Sequence, residues 1–426
     1  MTQSKNEQYG GIIMSTGVCI INRNGIALAA DSAGTFTGNK MFYNSMNKVF
    51  SLSRKNIYGV VTYGATVIHN VSIELILKEF RMFLDKGEAL EDFFDILPSF
   101  TNFLKSKELY FKFNIDERES CISLINSLVS NWGNKLKGEI QNSNSQEKLE
   151  QILHEFENDI NCSLKIEDYD VSEYIKAQYY GHYETILNIV VPEIKSFPEI
   201  KDRLWELICR YFNLSLKRET DSKMGLFFAG YGKQDAFPKF IHIELYTVIN
   251  GIAKFRLIDK YEESNNNAQI IPLAQTDEIL TFCKGISNYF INYIPQKVNE
   301  LITNKINNLP KEFSEQQKNI LKDSLGECKK EVQDSLNEAM QREYVNPILK
   351  SVQLIPLPEM AMLAENLVNI TSLKRTFAID GNQQTVGGPT DVAVMSKGDG
   401  FVWIKRKLYF DRKLNPDYPV KISKDY

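Results

Sequence analysis

Residues 17–31 read GVCIINRNGIALAAD, two runs of apolar, β-prone residues on either side of Asn24-Gly25. Asn and Gly both tolerate positive φ, so this pair suits a type I′ turn and the stretch predicts a β-hairpin. A second hairpin is predicted from KVFSL at 48–52 and IYGVVTYG at 57–64, which flank a polar turn. The beginning of the chain is therefore expected to form antiparallel sheet.

Beyond these hairpins the apolar residues recur at helical spacing. Helical patterns cover 66–86 and most of 88–220, and strand patterns then return in three runs, at 225–232, 239–248 and 253–259. Further helices are predicted after Thr276, behind a capping box of Ser314 and Gln317, and across 358–374. A strand–turn–strand on Asp399-Gly400 closes the pattern, and this order implies stacked sheets covered by helices on their outer faces.

The bulk composition excludes some classes of function. The 426 residues carry 50 Lys and Arg against 54 Asp and Glu, a net charge of −4, which gives no overall electrostatic reason to bind nucleic acid. The start, MTQSKNEQYGGII, is polar and unlike a signal peptide, and no apolar run approaches the roughly 20 residues that span a bilayer. We therefore expect a cytoplasmic protein with no nucleic-acid or membrane partner.

The cysteines show no metal-site pattern. All six are dispersed, with no CxxC pair and no histidine at ligand spacing, and they are interpreted as buried reduced thiols: Cys19, Cys121, Cys162, Cys209, Cys283 and Cys328. We expect neither a metal nor another cofactor.

The stretch 15–52, STGVCIINRNGIALAADSAGTFTGNKMFYNSMNKVFSL, resembles the start of a proteasome β subunit of the bacterial, HslV-type kind. Those subunits begin with a nucleophilic Thr, turn a hairpin at Gly, place Asp-Ser after a small-residue strand end, and have a Lys before an apolar β residue. Gly25, Asp31-Ser32 and Lys48-Val49 match that pattern. Counting back sixteen residues from Asp31 places Ser15 at the nucleophile position, with Thr16 beside it as a rival.

Later motifs follow the family's order. TYGA at 62–65 resembles its oxyanion loop, with Gly64 as the glycine. AGYG at 229–232 and VGGPTDVAVMSKGDG at 386–400 resemble its later strand ends.

The resemblance implies a role for each of these residues. Ser15 would attack an amide carbonyl and use its own α-amine as base, because a hydroxyl is a poor nucleophile at neutral pH. Lys48 would hold that amine neutral, Asp31 would orient Lys48, and the Gly64 N–H would face the oxyanion.

The resemblance also implies an α+β fold, a four-layer αββα Ntn-hydrolase sandwich of antiparallel sheets with two long helical insertions. The expected segments follow from this core: 1–14 as an N-terminal extension or propeptide, 15–87 as the first core segment, 88–220 as a mainly helical insertion, 221–310 as the second core segment, 311–352 as a second helical insertion, and 353–426 as the third core segment with the C-terminal tail.

The function implied is cleavage of peptide or other amide bonds by a homo-oligomer, with an unfoldase or another protein as a partner left open. A non-catalytic proteasome-like subunit that acts as a ring or partner-binding scaffold stays open as well. It is favoured by Gln383 and Val386, which stand where the family has an acidic residue and a serine, and by LAQTD at 273–277 in place of Gly-Ser-Gly. A third alternative is an amidase acting on a small molecule.

Overall fold

The computed structural model describes residues 15–36, 41–69, 71–106, 114–143, 145–161, 169–214, 223–262, 268–310, 312–323, 325–377, 387–408 and 410–415. These residues form two compact units. The first, here called the helical unit, takes in Gly64–Phe228 and Ile241–Lys260, and the second, the sheet unit, takes in the rest.

The strands follow in chain order: β1 (Thr16–Asn22), β2 (Gly25–Ala30), β3 (Gly34–Phe36), β4 (Met41–Tyr43), β5 (Val49–Ser51), β6 (Tyr58–Gly64), β7 (Val67–Ile68), β8 (Val71–Ser72), β9 (Met224–Gly230), β10 (Lys239–Ile249), β11 (Ile252–Glu262), β12 (Gln269–Ala274), β13 (Asp391–Ser396) and β14 (Gly400–Lys405).

The α-helices are α1 (Ile73–Lys86), α2 (Ile96–Leu104), α3 (Asn114–Asn142), α4 (Gln146–Asn161), α5 (Ser172–Val190), α6 (Pro198–Tyr211), α7 (Asp277–Lys284), α8 (Asn288–Asn307), α9 (Glu315–Asp323), α10 (Leu325–Met340), α11 (Asn346–Leu354) and α12 (Leu357–Phe377). Among the described residues, no helix is both long enough and apolar enough to cross a membrane.

The first five-stranded sheet has the order β12–β1–β2–β13–β14. The hairpin predicted for 17–31 is confirmed, since β1 and β2 pair antiparallel with Asn22 opposite Gly25. The predicted type I′ turn is wrong, because Arg23 and Asn24 form the turn and neither has positive φ. The side chain of Asn22 explains the difference, since its Oδ1 accepts the Asn24 N–H at 2.8 Å and stabilises the turn locally.

The second five-stranded sheet has the order β11–β10–β9–β6–β5. The predicted second hairpin is confirmed, because β5 pairs antiparallel with β6. Within the sheet unit the two sheets contact each other. A Cβ atom at Gly17 would lie 3.3 Å from Val61 Cγ1, and one at Gly59 would lie 3.0 Å from Met395.

Helix α12 packs on the first sheet and closes an apolar core. Small and branched residues of β1, β2 and β13 meet the buried face of α12 in one cluster: Val18, Ile20, Ala27, Ala29, Met360, Ala361, Ala364, Leu367, Val368, Val392 and Val394. Burial of this much apolar surface is the main stabilising contribution in this layer.

The helical unit has its own core between α3, α4, α5 and α6. Its centre is aromatic, with the rings of Tyr183 and Trp205 stacked 4.6 Å apart. Lys254 is buried beside this core, and its Nζ donates to the Phe212 carbonyl at the end of α6 over 2.7 Å. The α+β class is therefore confirmed, whereas the insertion boundaries at 88–220 and 311–352 stay predictions.

One sequence-based boundary is wrong, and one strand was not predicted. The helix expected over 66–86 begins at Ile73, because Ser72 Oγ accepts the Leu75 N–H and caps it there, while 67–68 and 71–72 pair as β7 and β8. Strand β12 was not predicted, and it contains a proline at position 272, a residue type that is uncommon inside strands. The structure places β12 at the edge of its sheet, where a proline costs no ladder bond.

Candidate functional site

One end of the first sheet brings the candidate residues together. Thr16 is the first residue of β1 and Asp31 follows the last residue of β2, so antiparallel pairing sets them side by side. The Asp31 N–H donates to the Thr16 carbonyl over 3.1 Å, which extends the ladder by one bond. Strand termini of this kind leave polar groups free to build a site.

Among the described residues, four donors converge on the Asp31 carboxylate. Oδ1 accepts the Thr16 N–H at 3.0 Å and the Lys48 Nζ at 2.5 Å. Oδ2 accepts the Ala33 N–H at 3.3 Å and the Gly387 N–H at 3.1 Å. Because three of the four donors are backbone groups, the position of the carboxylate is fixed by the fold itself.

Lys48 is buried together with its partner. The side chains of Lys48 and Asp31 are 5 % and 0 % exposed, and the Lys48 carbonyl accepts the Thr62 N–H at 2.8 Å, which anchors the residue just before β5. Burial lowers the pKa of Lys48, and the charge of Asp31 opposes that shift. The predicted pairing of Asp31 with Lys48 is thus present in the geometry, although its catalytic role stays a prediction.

Ser15 immediately precedes β1 and is almost fully buried, at 1 % exposure. Its carbonyl accepts the Gln275 N–H at 3.0 Å, which continues the β1–β12 ladder to the end of the sheet. Among the described residues, the Ser15 hydroxyl oxygen makes no hydrogen bond. A buried hydroxyl without a partner costs about 1–3 kcal/mol, so this group is a candidate for contact with a reacting molecule.

Thr16 is the weaker candidate for the nucleophile. Its Oγ1 is also buried without a hydrogen bond to any described residue, but its N–H is already bonded to Asp31. If Thr16 were the first residue, its amine would lie against that carboxylate and be held protonated, which prevents it from acting as a base. The geometry therefore favours Ser15.

Gly64 belongs to the helical unit, and its predicted oxyanion role stays a prediction. Its backbone φ is +79°, and a Cβ atom at this position would lie 2.3 Å from the Lys223 carbonyl oxygen. A glycine is therefore required at this position by the backbone alone.

Two backbone contacts of the site went unnoticed in the sequence. The Gly387 N–H that binds Asp31 lies in the VGG motif, so that motif was the available signal. The Gln275 contact had no signal, because β12 itself was not predicted. Residues 1–14, Gln383 and Val386 lie outside the described residues.

The cysteine interpretation holds for some positions and fails at others. Cys19, Cys121 and Cys209 are buried, whereas Cys283 is half-buried and Cys328 is exposed. Burial raises the pKa of the Cys121 thiol to about 12, which makes a reactive thiolate unfavourable there. Among the described residues, no cluster of His, Cys, Asp and Glu has the arrangement of a metal site, and Cys162 lies outside them.

The chain matches no protein-family model and no curated protein. Among solved structures it is similar to Anbu (ancestral beta-subunit) from Yersinia bercovieri, at 10 % sequence identity and a TM-score of 0.26, over 96 % of this chain and 95 % of that chain. At those values the similarity carries no fold or function from that protein to this one.

The assignment of this chain to the proteasome β subunits is therefore wrong. Neither sequence comparison supports it, and the similar structure is of Anbu, a different protein. The motifs that prompted the assignment are short. A glycine beside a turn, small residues before Asp31-Ser32, and a lysine before an apolar strand meet the needs of many buried hairpins.

Proposed function

We propose that this chain is an N-terminal-nucleophile hydrolase that cleaves peptide or other amide bonds through the hydroxyl of Ser15. The observation that carries the proposal is a buried hydroxyl without a partner among the described residues, at the same sheet end as the buried Asp31–Lys48 pair. Ionisable groups held out of water at such a position are typical of functional sites.

The chemistry requires a base within reach of the hydroxyl. If residues 1–14 are removed, the α-amine of Ser15, with an ordinary pKa of about 8, becomes that base. The positive charge of Lys48 disfavours a second positive charge on the amine and so keeps it neutral near pH 7. Asp31 holds the Lys48 ammonium in place at 2.5 Å.

The reaction then proceeds in two steps. The Ser15 oxygen forms a bond to the amide carbonyl carbon while its proton passes to the α-amine, and that proton goes on to the leaving nitrogen as the C–N bond breaks. Water hydrolyses the resulting ester, with the same amine taking the proton of water and returning it to Ser15. No metal or redox group enters this balance.

We also propose a four-layer αββα sandwich as the fold that carries this chemistry, and contacts within each unit support it. In the sheet unit, α12 covers the first sheet and the two sheets contact each other through Gly17 and Gly59. In the helical unit, α1 and α2 meet through Phe80 and Phe100, and Phe100 packs on Phe228 of β9 at 5.5 Å. Helices therefore lie against strands of both sheets.

The test is covalent labelling with a peptide epoxyketone, whose ketone and epoxide react with a hydroxyl and a neighbouring amine on one residue. We expect a stable adduct that peptide mapping places on Ser15 in the wild type, and no adduct in Ser15→Ala. Thr16→Val is the matched control. It removes the other unpaired hydroxyl at nearly constant volume and should leave the adduct unchanged.

Two results would contradict the proposal. If no adduct forms on the folded wild type and Ser15→Ala equals it in every amide-hydrolysis assay, the chain is a scaffold on this fold. If the adduct survives in Ser15→Ala and disappears in Thr16→Val, the nucleophile is Thr16.

Homo-oligomerisation is proposed separately. Helical segments such as 311–352 are expected to contribute the interface, because surplus helices with an apolar face tend to pack on a neighbour. Light scattering should give a multiple of 49.0 kDa for the full chain. A monomer would contradict this proposal.

A further inference from the structure

A second ion pair, with a buried carboxylate, lies at the same end of the first sheet. Asp391 is the first residue of β13 and pairs in register with Ala30, the residue before Asp31. The side chain of Asp391 is 3 % exposed. Its Oδ1 accepts the Lys407 N–H at 2.9 Å, and its Oδ2 is ion-paired with the Lys407 Nζ.

A local irregularity of the sheet allows this contact. Strand β14 ends at Lys405, and the pairing of β13 with β14 shifts register between Val392 and Ala393. Such bulges re-aim side chains at the ends of sheets. Lys407 then folds back over Asp391 with a side chain that is only 11 % exposed.

The segment that carries Asp391 is also bound to the loop that carries Asp31. Gly387 donates to Asp31 Oδ2, and the Gly387 carbonyl accepts the Ser32 N–H at 3.2 Å. The Ser32 hydroxyl donates to the Pro389 carbonyl. The two carboxylates are therefore held by one connected set of backbone contacts.

We propose that the Asp391–Lys407 pair is a positioning pair that sets the charge state of Lys48 in the proposed hydrolytic site. It forms, with Asp31 and Lys48, a set of four charges that sum to zero, three of them buried and the fourth, Lys407, 11 % exposed. Charges in such a poorly solvated place act on one another more strongly than charges in water. The inference rests on the proposed function for its catalytic meaning, while the coupling itself can be measured without a substrate.

Asp31, Lys407 and Asp391 are among the described residues whose charges act on Lys48. Burial is the main cause that lowers the pKa of Lys48, Asp31 opposes it, Lys407 lowers the pKa further, and Asp391 raises it. Removing either member of the second pair should therefore move the titration of Lys48 in a direction set by the charge that remains. A pair too distant or too well screened to act on the Lys48 charge would not produce opposite shifts.

The experiment is an NMR titration of the full chain labelled with [13Cε]lysine, with the Lys48 signal assigned by its loss in Lys48→Arg. Lys407→Gln leaves the Asp391 charge uncompensated and should move the Lys48 midpoint up by about one pH unit. Asp391→Asn leaves the Lys407 charge and should move it down by a similar amount. The double variant and Lys407→Arg should both titrate close to the wild type.

The outcomes separate cleanly. Opposite shifts with restoration in the double variant support the inference, and shifts that are absent or equal in sign overturn it. Of the four charged side chains, that of Lys407 is the most exposed, so its substitution is the least disruptive to the fold. If Asp391→Asn does not fold, the direction of the Lys48 shift in Lys407→Gln decides the question.

The same variants, labelled with the epoxyketone across pH, report separately on the proposed function. If Ser15 is never labelled but Lys48 shifts as expected, the hydrolase proposal fails and the charge coupling stands. If Ser15 is labelled but the Lys48 titration does not shift in the variants, the hydrolase proposal stands and the charge coupling fails.

Discussion

Two buried carboxylates, one in each compact unit, are paired in different ways. Asp31 is fully buried and its cation, Lys48, is 5 % exposed. Glu244 is 8 % exposed, but its cations reach it from solvent: Lys223 at 2.7 Å is 52 % exposed and Arg256 at 2.9 Å is 45 % exposed. Both partners of the Asp31–Lys48 pair are buried, whereas the two cations of the Glu244 cluster are about half exposed.

The difference indicates what each pair contributes. Partly exposed cations keep much of their hydration and are screened by salt, so the Glu244 cluster adds little beyond fastening strands together. Holding both Lys48 and Asp31 out of water has a desolvation cost that their attraction offsets only in good geometry. The proposed function assigns a use to this costly pair, which lies at the same sheet end as the Ser15 hydroxyl.

The largest expected effect on stability comes from breaking the buried Asp31–Lys48 pair. Lys48→Ala leaves Asp31 buried without its cation and should lower the free energy of unfolding by about 3–5 kcal/mol. The matched variant Lys223→Ala should lower it by at most about 1 kcal/mol, because that cation is half exposed. Urea denaturation of both variants measures the two changes in the free energy of unfolding. Equal changes would contradict the claim that the buried pair and the half-exposed cluster differ.

The alkaline pH dependence sharpens the comparison. The pKa of Lys48 is lowered by burial in the folded protein, so between the folded pKa and the unfolded value near 10.4 the unfolded chain binds more protons. Stability therefore rises with pH across that window on account of Lys48. The stability of the wild type relative to Lys48→Met should increase on going from pH 8 to pH 10.5. A flat difference would mean that Lys48 is as well solvated as a surface lysine.

The stability at acidic pH tests the half-exposed cluster of Glu244, Lys223 and Arg256, and here the smallest effect is expected. Burial alone would raise the pKa of Glu244, but Lys223 and Arg256 together lower it below its usual value. Its stabilising contribution is then complete above about pH 4.3 and is lost as pH falls through the folded pKa. Glu244→Gln should remove less than about 1 kcal/mol of acid dependence. A larger change would show that the cluster is less solvated than its exposure indicates.

Much of the site could be predicted because it depends on local patterns. The hairpin at 17–31 and the lysine before β5 are visible as alternation and turn residues, and pairing then sets Asp31 beside Thr16. The turn itself could not be predicted, because the Asn22 side chain competes with the glycine-based alternative. The outcome depends on the orientation of the Asn22 side chain, which the sequence pattern does not give.

The second ion pair could not be predicted for a different reason. Asp391 has the appearance of an ordinary residue at a strand start, and its partner lies 16 positions later, beyond the end of β14. The register shift between Val392 and Ala393 displaces the residues after β14 relative to Asp391. The spacing of apolar and turn residues in a hairpin does not predict the position of such a register shift.

The most direct test of the central claim is the mature N-terminus of the natively purified protein, read by intact mass and N-terminal peptide mapping. The Ser15 hydroxyl can use its own amine as base only if nothing precedes it. We predict a chain that begins at Ser15. A uniform N-terminus at Met1 would contradict the proposed mechanism, because Ser15 would then carry an amide in place of the amine that the reaction needs.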